Sequence, residues 1–358
     1  MTDSSPLADR LLAWAAAQPP RHYPWRAEPR TPYRVWVAEV LLQQTRAETA
    51  GPYYERFLAR FPTVEALAAA PLDDVLKAWA GLGYYARARN LHRAAQQVVA
   101  AGAFPTTYAG WRALPGVGDY IAGAVLSLAF GQDAPAVDGN GRRVLARLRA
   151  VADDVTKAAT HRRLRAIAAE LLPPGRAGAF NEALMDLGAS VCTPRAPRCA
   201  ECPWESDCEA RVQGRAASLP VHPPRRALPH YDVTAAVIQH DGRLLIAQRR
   251  PDAMLGGLWE FPGGKCEPGE SLADCLRREL REELAIEVGV GECMAVIPHG
   301  YTHFRITLHA FQCRLLAGEP QPIDCAAVRW VRPDELDAYA FPVTDQRIIV
   351  TLRDAVMG

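Results

Sequence analysis

A multidomain chain, with an all-α first part and an α/β second part, is predicted by three features of the 358-residue sequence. Apolar residues recur at helical spacing, punctuated by Pro and Gly, as far as residue 213. The next stretch, 214–229, has the proline and small-residue content of a linker. From residue 230 onward the pattern becomes mixed, with strand-like runs at 233–239 and 243–249 joined by an Asp241-Gly242 hairpin. The expected organisation is therefore 1–213, linker 214–229 and 230–358.

Helical spacing opens the chain at 7–14, and the proline-rich loop PPRHYPWRAEPRTP follows, which must pack by its side chains. Residues 33–44, YRVWVAEVLLQQ, read as a helix in which Glu39 sits among Val37, Val40 and Leu41. Burial there would raise its pKa and make it a proton donor near neutral pH. Pairing with Arg34 or Arg46 is the competing reading. Further helices are expected at 52–61, 63–70, 72–79 and 86–101. Between the last two, GLGYYARARN sets tyrosines beside arginines, a combination suited to unstacking bases while holding a backbone.

The stretch LPGVGDYIAGAVLSLAFGQDAPAVD, 114–138, combines a turn, a helix (120–130), a loop and an aspartate. Gly116 and Gly118 allow positive φ and close backbone approach, and the helix N-terminus behind them suits a DNA phosphate. Asp138 precedes a second expected helix, 142–149, and reads either as its N-cap or as a catalytic carboxylate. Charge is nearly balanced: 25 basic against 21 acidic residues through Gly214 (+4), then 16 against 19 (−3). Contact with DNA would therefore use local clusters such as Arg87, Arg89 and Arg93, or Arg142, Arg143 and Arg147.

Cys192, Cys199, Cys202 and Cys208 form C-x6-C-x2-C-x5-C. That lopsided spacing matches an iron–sulfur loop better than the paired knuckles of a zinc ribbon. No signal peptide or membrane span is apparent, so the expected location is the cytoplasm, nucleoid-associated when bound to DNA.

The segments WVAEVLLQQT, GLGYYARARNL, LPGVGDYIAGAVLS, VDGNGRRVLAR, FNEALMDLGA and the four-cysteine loop together resemble the helix-hairpin-helix DNA glycosylases that carry a 4Fe-4S cluster, and among them the MutY-type adenine DNA glycosylases. The resemblance implies that Glu39 protonates the adenine leaving group and that Asp138 stabilises the oxocarbenium-like sugar or bonds to it. Asn140, Glu182 and Tyr120 match the family's supporting residues, and Gln44 and Tyr84 its duplex-wedging pair. Arg26 matches a DNA-binding arginine across a loop that is longer by a residue. The related endonucleases with strand-cutting activity carry a lysine at position 120, so Tyr120 implies base removal without an efficient lyase step. The implied substrate is duplex DNA holding A:8-oxoguanine or A:G mispairs, acted on by a monomer.

In the second part, LWEFPGGKCEPGESLADCLRRELREELAI resembles the signature of Nudix hydrolases, with Gly264, Glu270, Arg278, Glu279, Leu280, Glu282, Glu283 and Ile286 on the pattern. Glu279, Glu282 and Glu283 share one helix face and, with Gly264, form the expected Mg2+ site. Ala285 replaces the last glycine of the signature, at a helix C-terminus where positive φ is expected. In the MutY family this MutT-like domain usually lacks those glutamates and recognises 8-oxoguanine, whereas this chain keeps them. Tyr301, Thr302 and His303 align with the family's Phe-Ser-His loop, with a strand position as the competing reading. Asp345 stands where MutT-like enzymes address the purine edge, with a helix cap as its alternative. Hydrolysis of 8-oxo-dGTP or another nucleoside triphosphate with Mg2+ is the second function expected.

Overall fold

The computed structural model describes residues 5–223 and 227–357. The chain divides into two compact units, Met1–Ala68 with Arg93–Arg225, and Ala69–His92 with Arg226–Gly358. The GLGYYARARN segment thus groups with the second unit.

Among its described residues the first unit is helical. The helix Pro32–Leu42 starts where Pro32 presets φ and Thr31 accepts from the Arg34 amide at 3.3 Å. Tyr33 and every residue from Val35 to Leu41 are buried, which explains why this helix shows little amphipathic pattern. It ends earlier than the sequence suggests: Gln43 turns out of the helix and Gln44 takes φ 57°. The Asp119–Ala129 and Ala177–Ser190 helices approach closely at Gly178, where a Cβ would sit 2.8 Å from the Ser127 carbonyl oxygen. Gly123 likewise admits the Pro135 carbonyl, 2.1 Å from where a Cβ would stand. Asn181, fully buried, then fixes the extended segment 131–138. Its Oδ1 accepts from the Ala136 amide (3.1 Å), and its Nδ2 donates to the Ala134 carbonyl and Ser127 Oγ (both 2.9 Å). This segment delivers Asp138 to the start of the helix Gly139–Leu148.

In the second unit the strands are β1 (His230–His240), β2 (Arg243–Gln248), β3 (Trp259–Glu260), β4 (Glu287–Gly300), β5 (Arg305–Ala317) and β6 (Ala327–Val331). Their order is β3-β2-β1-β5-β4, with β6 also paired to β2. β1 and β5 run parallel, Thr234 facing His309 across the pair, and the other pairings are antiparallel. The helix Leu272–Leu284 covers one face, burying Leu276, Leu280 and Leu284 against Ala236, Ile238 and Leu245. Each such leucine contributes about 1.5–3 kcal/mol on burial. The helix Val343–Met357 covers the other face through Ile348 and Ile349. No described helix is long and apolar enough to cross a membrane.

The Nudix-type helix closes as its sequence implies: Ala285 is left-handed (φ 56°, ψ 37°), its amide bonded to the Arg281 carbonyl at 3.1 Å. Because a Cβ is strained in this conformation, Ala285→Gly is expected to stabilise the protein by about 0.5–1 kcal/mol in denaturant unfolding. An unchanged or lower midpoint would refute the strain.

Candidate active site and nucleic-acid surface

A cavity of about 1380 Å³ in the first unit is lined by Arg26, Glu39, Gln44, Gly118, Tyr120, Asp138, Asn140 and Glu182, so residues from distant parts of the chain meet at one place. Glu39 is 4% exposed and pairs with neither Arg34 nor Arg46; its hydrogen-bond donor is the Tyr120 hydroxyl. Burial pushes the Glu39 pKa up to about 7; the Tyr120 bond opposes this, and the nearby Asp138 charge adds to it. One oxygen of Glu39 accepts from Tyr120, leaving the other to carry and release a proton. Burial likewise raises the Tyr120 pKa, so its hydroxyl stays protonated and acts as a donor.

The N-cap reading of Asp138 is seen directly: it caps the Gly139–Leu148 helix, Oδ1 accepting from the Gly141 amide at 2.6 Å, and the residue also faces the cavity. Burial raises its pKa, opposed by bonds from the Gly141 and Asn140 amides and by the charges of Arg143 and Arg142. The positive end of a helix favours the carboxylate. Two carboxyl groups thus line one cavity in contrasting surroundings, an apolar helix flank for Glu39 and a helix N-terminus for Asp138.

Arg26 is bound to Asp186 at 2.9 and 3.0 Å and lies 3.3 Å from Glu182. Arg30 also reaches Glu182, at 3.0 Å. Arg26 therefore acts in the structure as a brace for the carboxylates of the Ala177–Ser190 helix. Asp186, Arg30 and the stacked pair Tyr23–Trp25 (4.8 Å between centroids) are cavity features the sequence did not single out, although HYPWR and FNEALMDLGA carry them.

At the hairpin only Gly116 is left-handed, with φ 75°. Gly118 is extended (φ −89°, ψ 177°) and a Cβ there would meet nothing within 4 Å. Its glycine answers no steric demand within the chain, which suits approach by an external backbone. Arg112 braces the turn through the Val117 carbonyl (2.6 Å) and Asp119 (2.7 Å).

The second expected arginine cluster is not a surface. Arg143 and Arg147 are 9% and 1% exposed and spend their donors on internal carbonyls. Arg143 also holds Asn140 Oδ1 at 2.9 Å. Arg142 alone of the three lines the cavity, bonded to His161 Nε2 at 2.6 Å. In the first cluster, Arg89 donates to the Gly256 carbonyl (2.7 Å) and Arg87 lies over the rings of Trp79 and Tyr84.

The two residues assigned to the wedge are both left-handed, Gln44 at φ 57° and Tyr84 at φ 47°. Such conformations cost about 1–3 kcal/mol at non-glycine residues and cluster at functional sites. Within the second unit the Tyr84 hydroxyl lies 2.5 Å from Thr302 Oγ1. Thr302 and His303 are exposed in the turn between β4 and β5, closed by the Tyr301 amide on the Phe304 carbonyl (2.8 Å), and so are turn rather than strand residues. Tyr301 is half-buried against His299 and Phe304. Asp345 is 5% exposed and accepts from the Phe261 amide (3.0 Å) and Thr344 hydroxyl (3.0 Å), with burial pushing its pKa up to about 6. It caps a backbone amide of the chain itself.

Cys192, Cys199, Cys202 and Cys208 line one cavity and are free of disulfides. Burial raises the Cys202 pKa to about 11 and also raises that of Cys208, so both are thiols until a metal displaces the proton. In the Nudix-type box the expected glutamates have different partners. Arg278 draws Glu279 (3.0 Å) and Glu282 (3.2 Å) to itself while holding both oxygens of Glu270 at 2.9 Å. Glu283 instead faces Glu260, which pairs with Arg249. At Gly264 a Cβ would lie 2.3 Å from Glu279 Cδ, so a side chain there would displace the Glu279 carboxylate. Among the described residues no three His, Cys, Asp or Glu side chains are gathered to hold a metal ion. The Arg278 guanidinium supplies the counter-charge to Glu279 and Glu282, and the Glu279 charge still acts on Glu283.

Residues 37–170 match the model of the HhH-GPD superfamily base excision DNA repair proteins, and residues 233–351 match the NUDIX domain. The chain is 34% identical to the adenine DNA glycosylase of Homo sapiens, over 94% of this chain and 72% of that one. It is 35% identical to that of Mus musculus, over 100% and 80%. Among solved structures it is similar to a thermostable thymine-DNA glycosylase, with TM-score 0.51 and 30% identity over 57% of this chain and 95% of the other.

Proposed function

The chain belongs to the adenine DNA glycosylase family, and on that premise we propose that it excises adenine paired with 8-oxoguanine or guanine in duplex DNA, acting as a monomer whose second unit reads the opposing base. The observation that carries this reading is Glu39, buried, hydrogen-bonded by Tyr120 and on the same cavity as Asp138. Adenine must leave the base stack to enter the cavity. Glu39 then gives its proton to a ring nitrogen, and the C1′–N9 bond breaks with its electron pair leaving on adenine. The carboxylate of Asp138 stabilises the positive sugar until water adds at C1′ and returns a proton to Glu39. Tyr120 offers no amine for a Schiff base, which supports base removal without strand cleavage.

The exposed pair Thr302 and His303 supports recognition of 8-oxoguanine by donors at the tip of the turn. The double replacement Thr302→Ala, His303→Ala is expected to reduce the preference for A:8-oxoG over A:G by about tenfold in single-turnover excision, the worth of one or two hydrogen bonds. An unchanged ratio would assign recognition elsewhere.

The cysteine cavity fits a 4Fe-4S cluster. The lopsided C-x6-C-x2-C-x5-C spacing of the four cysteines that line it supports this reading over the paired knuckles of a zinc ribbon. When bound, the cluster would cross-link the loop through four Fe–S bonds and supply a redox-active centre.

A second reading rests on Glu283. Burial, then the charges of Glu260 and Glu279, push its pKa up to about 8. This surplus of carboxylates is what a divalent cation would relieve, and Mg2+ held there would activate water against a nucleoside triphosphate. Incubation with 8-oxo-dGTP and Mg2+ is expected to release pyrophosphate from the native protein and at least about 10²-fold less from Glu282→Gln. Equal, background release from both would leave the domain as a reader alone.

A further inference from the structure

Arg147 is 1% exposed, and among the described residues its side-chain bonds go to no carboxylate. Nη1 donates to Cys192 Sγ at 3.3 Å and to the Thr193 carbonyl at 2.7 Å, Nη2 to the Pro194 carbonyl at 2.9 Å, and Nε to the Leu219 carbonyl at 2.8 Å. The Arg147 carbonyl in turn accepts from Cys208 Sγ at 3.4 Å. Carbonyl dipoles satisfy the N–H groups, but among the described residues they leave a buried positive charge without an anionic partner. The cavity beside it is lined by four cysteines that must become thiolates to bind a metal. Four thiolates around an iron–sulfur core carry a net negative charge, the complement that Arg147 lacks.

We propose that Arg147 is the counter-charge of the cysteine site, and that its bond to Leu219 ties the loaded site to the start of the linker. The inference rests on the cluster reading above. It makes Arg147 a positioning residue with two separable actions. Its charge stabilises the more reduced cluster and so raises the reduction potential, because nearby charge and hydrogen bonds to sulfur set that potential. Its Nε fastens Leu219, which is 1% exposed, while the following Val221 carbonyl accepts from the Val155 amide at 3.1 Å.

The test compares the full-length, iron-loaded protein with Arg147→Met and Arg147→Lys, reading iron content, the reduction potential of the cluster, and backbone hydrogen exchange over residues 214–221. Arg147→Met is expected to shift the potential downward and speed exchange in the linker. Arg147→Lys keeps the charge but cannot bridge the sulfur and three carbonyls, so the potential falls less than in Arg147→Met while exchange still rises. Loss of iron from Arg147→Met with retention in Arg147→Lys is the same result in stronger form. A fully loaded Arg147→Met protein with native potential would overturn the counter-charge, and unaltered exchange in both variants would overturn the linker tie. A native protein without cluster iron would remove the cofactor reading itself, and is distinguished from both by iron content.

Discussion

Replacing Glu39 by Gln is expected to slow adenine release by about 10²–10⁴-fold, the contribution of a positioned general acid, while DNA affinity changes little. Glutamine keeps the shape and the bond from Tyr120 but has no proton to give. The same site predicts the pH dependence. Glu39 must be protonated to act, so the native rate falls as pH rises through about 7. Stability follows the same sign. The folded-state pKa lies above the unfolded value of 4.5, so the favourable contribution of the neutral acid is complete below pH 4.5 and is lost as pH rises through about 7. Glu39→Gln should therefore be more stable than the native protein at about pH 8, by up to about 3 kcal/mol, and equal to it at about pH 4. A variant that gained nothing at the higher pH would mean that Glu39 ionises without penalty.

The second large effect separates the two roles of Asp138. Serine is as good an N-cap as aspartate, whereas alanine forfeits about 1 kcal/mol. Asp138→Ser should thus unfold within about 0.5 kcal/mol of the native protein yet lose excision to a similar degree as Glu39→Gln, because no anion faces the sugar. Asp138→Ala should lose both. If Asp138→Ser excised adenine at a near-native rate, the carboxylate would be a cap and nothing more.

These two residues also show where the sequence is informative. Glu39 could be recognised as a charge amid apolar neighbours in a helical run, and the helix N-terminus after Asp138 is visible in DGN. Their meeting is not, since it depends on Asn181 and Gly123 pinning the 131–138 segment, contacts that span 45 residues or more in the case of Asn181. The arginines of RRVLARLR misled for a related reason. Arg143 and Arg147 are four apart and share a buried helix face, but a cluster of cations in sequence looks the same whether it faces water or a cysteine cavity. Ala285 lies at the other extreme, because a helix end requiring positive φ follows from the local pattern alone. The partners of Glu279, Glu282 and Glu283 are also beyond local pattern: all three stand on one face, but Arg278 pairs with the first two while Glu283 feels the charge of Glu260.

On the proposed function, Glu39 and Asp138 cut one glycosidic bond at adenine opposite a damaged or mispaired guanine. Single-turnover release of free adenine from matched duplexes carrying A:8-oxoG, A:G or A:T tests it most directly. Release is expected from the first two, leaving an abasic but unbroken strand, and none from A:T. Equal release from all three, or none from A:8-oxoG, would contradict it.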